Sequence, residues 1–153
     1  IRGGHNIDPA VIEETLLGHD AVAFAGAIGQ PDAHSGELPC VYVELVAGAT
    51  VSDEELMEYA INNIGEPGAK PKHLEILKEL PKTAVGKVFK PDLRKMAITR
   101  IFDQALSEKN AIARVSGVKD DKKLGLVAQI SGEASDALIK EALQDFTIPW
   151  ERS

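Results

Sequence analysis

The sequence predicts an α+β fold: a small mixed sheet of about three strands flanked by helices, with a β-hairpin and a further helix appended at the C-terminal end. Three observations carry that expectation. Helix-capping signals alternate along the chain with short runs in which apolar residues recur at every second position. Those runs have strand length and are separated by clusters of Gly, Pro, Asp and Ser. No stretch reads as an internal repeat or as low complexity, so the architecture is a globular one rather than a solenoid. At 153 residues, 44% hydrophobic and 27% charged, the chain is long and apolar enough to bury a core.

The elements follow in order. In "DPAVIEETLLGH" Asp8 reads as an N-cap and Pro9 as the first helical residue, and Ile12 and Leu16 lie four apart on one face. Val22, Phe24, Gly26 and Ile28 then alternate, "QPDAHSGELP" supplies a turn, and Val41, Val43 and Leu45 alternate again, which predicts two paired strands. "SDEELMEYAINNIG" opens with a capping box from Ser52 to Glu55 and carries Leu56, Ala60 and Ile64 as its buried stripe. Its acidic start needs no explanation beyond the helix dipole. After "GEPGAKP", Leu74 and Ile76 alternate in a third strand. A helix opened by Pro91 is predicted through "DLRKMAITRIFDQALSEK", followed by strands "AIARVSGV" and "LGLVAQI" and a helix with Ile139, Leu143 and Phe146 on one face. Two strands alone are marginal in water, so this last segment requires a helix face or a third strand to persist.

Composition excludes several functions. A formal net charge of -7 argues against a general nucleic-acid binder, which needs a basic face. No apolar run approaches the length of a membrane span, and the opening residues do not read as a signal peptide. The one cysteine, Cys40, sits in the apolar run "CVYVELV" and reads as a small buried residue, which fits a reducing cytoplasm. His5, His19, His34 and His73 show no metal-ligand spacing, so no bound metal is expected. The chain opens "IRGGHNID", without a methionine and in the middle of a turn motif, as a fragment of a longer chain would.

Directly after the third strand comes "PKTAVGK", residues 81–87, in which Gly86 permits a sharp turn beside Lys87. Strand exits fix the base of a loop while its tip stays in solvent, and that is where rigid scaffolds present functional groups. By position alone Lys87 is also readable as an ordinary solvated lysine.

The segment "ELPKTAVGKVFKPDLRK", residues 79–95, resembles the terminal motif of the adenylate-forming superfamily of acyl- and aryl-CoA ligases, luciferases and adenylation domains. "IRGGHNIDPAVIEETLLGHDAV", residues 1–22, is similar to the stretch just after the hinge in those enzymes. The two motifs and the elements between them extend the resemblance over residues 1–98, nearest to fatty-acyl-CoA ligases. It implies a C-terminal lobe over 1–98, a structured extension of unknown role over 99–153, and an N-terminal domain of the same chain that binds ATP, with its Mg2+, and the acid. It further implies that Lys87, with Gly86 behind it, meets the carboxylate and the α-phosphate during adenylate formation. Gly3 and Gly4 would line the path of the coenzyme A thiol arm in the second step. The acceptor reads as coenzyme A, with a carrier protein as the alternative. A non-catalytic module binding a nucleotide or a protein partner is the rival from another class. The extension is expected to serve stability or assembly, including homo-oligomer formation. One departure stands out: where relatives carry Tyr-Lys before the third strand, this chain has Gly68 and Ala69, so no contact made by that pair carries over.

Overall fold

The computed structural model describes residues 7–153. Helix α1 (Pro9–Leu17) starts where expected, with the Asp8 carboxylate accepting from the Ala10 N–H at 2.9 Å. Helix α2 (Asp53–Asn63) is capped by Ser52, whose hydroxyl accepts from the Glu55 N–H at 3.1 Å. Caps of this kind are worth about 1 kcal/mol each.

Between and after them lie β1 (Val22–Asp32), β2 (Gly36–Leu45) and β3 (His73–Leu77). β1 pairs antiparallel with β2, and β3 pairs parallel with β2 on its other side. A parallel partner needs a crossover, which α2 supplies. Val41, Val43 and Leu74 point to the face covered by α1 and α2, where they meet Ile12, Leu16, Leu56 and Ala60. Cys40 and Tyr42 point to the opposite face, where Leu80, Leu93 and Ala97 cover them. The alternation expected of β1 is interrupted: a bulge between Val22 and Phe24 shifts the register, so Val22 joins the α1–α2 core while Ile28 faces the other way.

Helix α3 (Lys90–Glu108) is the spine. Its first turns place Leu93 and Ala97 against the first sheet, whereas Ile98, Phe102 and Leu106 enter a second core. That core is closed by β4 (Ala113–Asp121), β5 (Gly125–Gly132), α4 (Asp136–Leu143) and β6 (Trp150–Arg152). β4 and β5 form the expected hairpin, and β6 adds a third strand parallel to β5, with Trp150 opposite Ala128. Trp150 packs half-buried on the second core. Both supports that an isolated hairpin lacks are therefore present.

Although no repeat is evident in the sequence, the second unit has the connectivity of the first: helix, hairpin, helix, parallel third strand. Details recur too. Asp32 accepts from the His34 and Ser35 N–H groups at the first hairpin turn, and Asp121 from those of Lys123 and Leu124 at the second. Ser-Asp opens α2 and Ser-Asp opens α4, each serine accepting from the N–H three residues on. The units differ on one face. The first sheet is covered on both sides, whereas the outward side of the second carries linked Ser116, Ser131 and Ser153 hydroxyls and the Lys119–Glu151 ion pair. A polar, internally satisfied face needs no second helical layer.

Candidate functional site

Lys87 stands at the tip of a hairpin built from residues 81–89. The Phe89 N–H donates to the Pro81 carbonyl at 2.7 Å, and Lys82 pairs with Val88. Across the tip, the Thr83 N–H donates to the Lys87 carbonyl at 2.7 Å and the Gly86 N–H to the Thr83 carbonyl at 2.9 Å. The Thr83 hydroxyl also accepts from the Lys87 N–H at 3.2 Å. Gly86 has φ +85, so the turn closes through a residue in the left-handed region, a conformation glycine adopts without a Cβ penalty. Residues 83–87 are all exposed, and Val85 at the tip is 82% exposed.

The base of the hairpin is fixed by two ion pairs that sequence reasoning missed. Glu44, at the end of β2, accepts from the Leu80 N–H at 2.8 Å and from the Lys82 ammonium at 2.6 Å. Lys82 also lies 4.3 Å over the Phe24 ring of β1. On the exit side, the Lys90 ammonium is 2.9 Å from Glu13 of α1, and the same carboxylate oxygen accepts from the Ala27 N–H of β1. Burial alone would raise the Glu44 carboxyl, but the Lys82 and Leu80 hydrogen bonds outweigh it and hold the group below the usual glutamate range. One signal was legible: Glu44 shares the register of Cys40 and Tyr42, a charge placed on an apolar sheet face.

The three lysines of this segment thus divide. Lys82 and Lys90 are paired and mostly covered, 19% and 28% exposed. Lys87 is exposed and has no side-chain partner among the described residues. A free ammonium on a braced hairpin can meet an incoming anion without first breaking an ion pair, and its preorganised charge is suited to stabilising negative charge that builds up in a transition state.

Gly86 and Lys87 are therefore adjacent at one tip, whereas Gly3 and Gly4 lie outside the described residues. Ala69 is fully buried at the end of the short 3-10 turn Pro67–Ala69, so this position belongs to the core. Cys40 is fully buried, and desolvation raises its thiol to about 11 despite the Arg100 guanidinium 3.8 Å away. It is a packing residue and no nucleophile. Arg100 reaches from α3 to the buried Gln30 at 2.5 Å, bracing the helix against β1. A cavity of about 230 Å3 lies at the start of α3, between Ile12, Ile28, Pro39, Lys90 and Arg94, and does not include the Lys87 tip. Among the described residues no three His, Cys, Asp or Glu side chains gather where they could hold a metal ion. No helix among them is long and apolar enough to cross a membrane.

Residues 11–87 match the model of the AMP-binding enzyme C-terminal domain. Over 136 residues the chain is 43% identical to marinolic acid--CoA ligase of Pseudoalteromonas sp. (strain SANK 73390), covering 88% of this chain and 21% of the relative. It is 42% identical over 90 residues to long-chain-fatty-acid--CoA ligase of Bacillus subtilis (strain 168), covering 59% of this chain and 16% of the relative. The Brucella canis acyl-CoA synthetase crystal structure superposes with a TM-score of 0.54 at 30% identity, over 71% of this chain and 19% of that one. The chain thus spans about a fifth of the length of the relatives it matches.

Proposed function

Because the chain belongs to the AMP-binding enzyme C-terminal domain family, we propose that it is the C-terminal lobe of an ATP-dependent acyl-CoA ligase in which Lys87 serves adenylate formation. The observation that carries this reading is the division of the lysines: two are locked to carboxylates at the hairpin base, and the one at the tip is exposed with no side-chain partner among the described residues. In the first half-reaction a carboxylate oxygen attacks the α-phosphorus of ATP, an acyl–phosphate bond forms, and pyrophosphate leaves. Two anions must approach and charge accumulates on the α-phosphoryl oxygens. An ammonium bridging the carboxylate and those oxygens stabilises that arrangement more than the separated reactants. Mg2+, travelling with ATP, supplies charge neutralisation on the phosphates from the N-terminal domain, and no step on this lobe runs through it.

In the second half-reaction the coenzyme A sulfur attacks the acyl carbon, the thioester forms and AMP departs. Gly3 and Gly4 fit the thiol path because glycine lets the backbone approach a narrow pantetheine arm closely. Lys87 must then withdraw, and a hairpin projecting from a small lobe is a part that can be inserted for one step and removed for the next. The exposed Val85 beside it fits burial against the N-terminal domain when the hairpin is inserted.

We assign residues 1–98 to the ligase lobe and 99–153 to an extension. The match to the marinolic acid ligase is long enough to reach beyond residue 98, which supports the extension as a shared part of that type of enzyme. Marinolic acid and long-chain fatty acids are the substrates named for the two relatives, and a fatty-acid-like acid is the class we propose here. A cytoplasmic site accords with the single buried cysteine.

Half-reactions of the full-length protein test the role. Lys87→Ala should slow ATP–pyrophosphate exchange by about 10²–10³ or more, the scale of one lost preorganised contact. Transfer of the acyl group from supplied acyl-AMP to coenzyme A should largely survive. Equal loss of both half-reactions would remove the step-specific role.

A further inference from the structure

We propose that Glu44 is a positioning residue for the adenylation step: from the end of β2 its carboxylate clamps the entry of the lysine hairpin and so sets where the Lys87 ammonium stands. The inference rests on the reading of Lys87 given above and goes beyond it to a residue that touches no substrate.

The geometry is specific. One Glu44 oxygen accepts from donors on both sides of Pro81, the Leu80 N–H and the Lys82 ammonium. Proline fixes φ at its own position, so a clamp across it fixes the direction in which the hairpin leaves the sheet. The Lys82 ammonium is held from two further sides, by the Phe24 ring of β1 and by the Leu80 carbonyl at 3.4 Å, while the Lys82 backbone is held by its own strand pairing. Because Lys82 pairs with Val88, a tilt at residue 82 is passed to residue 87 across a rung of the hairpin rather than along a flexible chain.

Placement argues the same way. Glu44 and Lys82 are 17% and 19% exposed, on the sheet face otherwise lined by Cys40, Tyr42 and Leu80. A pair this far covered loses much of its Coulomb gain to desolvation, so stability alone is a weak reason to place it there. The exit of the hairpin is anchored separately by Lys90 and Glu13. With that end held, the Glu44 clamp governs the remaining freedom, the tilt of the tip. A misplacement of about 1 Å at a reacting group can cost about 10²-fold in rate.

The test uses the full-length protein and two assays, ATP–pyrophosphate exchange and acyl transfer from supplied acyl-AMP, with thermal unfolding of every variant and Lys87→Ala alongside. Glu44→Gln keeps an acceptor for the Leu80 N–H and loses the charge, and Lys82→Met removes the other partner while keeping its length. Each should lower exchange about 10-fold to 10²-fold with transfer unchanged, and the double variant should be no worse than either single one. Lys82→Arg, which preserves the cation, should retain most of the exchange activity. Native exchange rates in Glu44→Gln and Lys82→Met, with Lys87→Ala inactive in exchange, would overturn the positioning role and leave Lys87 in place. Native exchange in Lys87→Ala would overturn both. A parallel fall of the two half-reactions together with thermal stability would mark the pair as structural and likewise overturn the proposal.

Discussion

Replacing Gly86 with alanine separates the backbone's contribution to the site from every other. Gly86 has φ +85, and a Cβ built on it meets nothing within 4 Å. There is no clash to relieve, so the whole cost is that of an L-residue in the left-handed region, roughly 1–2 kcal/mol. Such a cost is a factor of about 5–30 in the ratio of native to rearranged turn. It falls on residues 83–87, which are exposed and bury no core, so the tip rearranges while the lobe stays folded. ATP–pyrophosphate exchange by the full-length Gly86→Ala protein should fall measurably, by at most that factor of about 5–30. Acyl transfer from supplied acyl-AMP should stay at the native rate, and the melting temperature should barely move. Gly86→Asn should be milder, since asparagine tolerates this conformation better than alanine does. Unchanged exchange in Gly86→Ala would show that the conformation at residue 86 does not set Lys87. An asparagine variant worse than the alanine one would mean that side-chain room at the tip, and not the backbone, is limiting.

Cys40 should resist iodoacetamide in the folded protein: with its thiol at about 11, the thiolate fraction near pH 8 is only about 10⁻³, and the sulfur is fully buried besides. Mass spectrometry should find it modified only in denaturant, and rapid labelling of the native protein would contradict the burial. Deleting residues 111–153 strips the cover from Ile98, Phe102 and Leu106, each 3% exposed or less and worth about 1.5–3 kcal/mol when buried. Thermal unfolding of the full-length protein should show a loss on the order of 5 kcal/mol, with the specific activity of the surviving soluble fraction within a few-fold; loss of one half-reaction at unchanged stability would place the extension in the active site instead.

Much of this architecture was legible in the sequence because local signals and tertiary roles agree. Ser52 and Asp8 cap the helices they were expected to cap, and Leu56, Ala60 and Ile64 form the buried stripe their spacing announces. The alternation of β1 misled at Val22, because a bulge reverses which face a residue takes and leaves no mark in the apolar pattern. β6 escaped because three residues, Trp150–Arg152, are too few to show a period, and its support comes from backbone pairing with β5. The sharp turn at Gly86 beside Lys87 was legible in "PKTAVGK", whereas the role expected of Lys87 came from the resemblance and not from its position. The pairs that brace the hairpin base were not, since Glu44 with Lys82 and Glu13 with Lys90 meet between elements far apart in the chain, and only the charge of Glu44 in an apolar register pointed to one of them. The repeat of helix, hairpin, helix and strand was hidden for a related reason: connectivity recurs in both units, while the recurring residues are few turn and cap positions in differing apolar surroundings.

Helix α3 bears on how the two units act together. Leu93 and Ala97 lie in the core of the first sheet, and Ile98, Phe102 and Leu106, on the same unbroken helix, lie in the second. Arg100 holds Gln30 of β1, and Lys95 holds Asp120 of β4 at 2.9 Å. A packed helix shared by two cores has no hinge at the point where one unit gives way to the next, since bending it would open cavities on both sides. Lys90, which anchors the exit of the lysine hairpin, is the first residue of that helix. Hairpin, first sheet, α3 and second sheet are therefore one mechanical body. If the lobe turns between the two half-reactions, the extension turns with it, and whatever the extension touches is coupled through α3 to whether Lys87 is inserted or withdrawn.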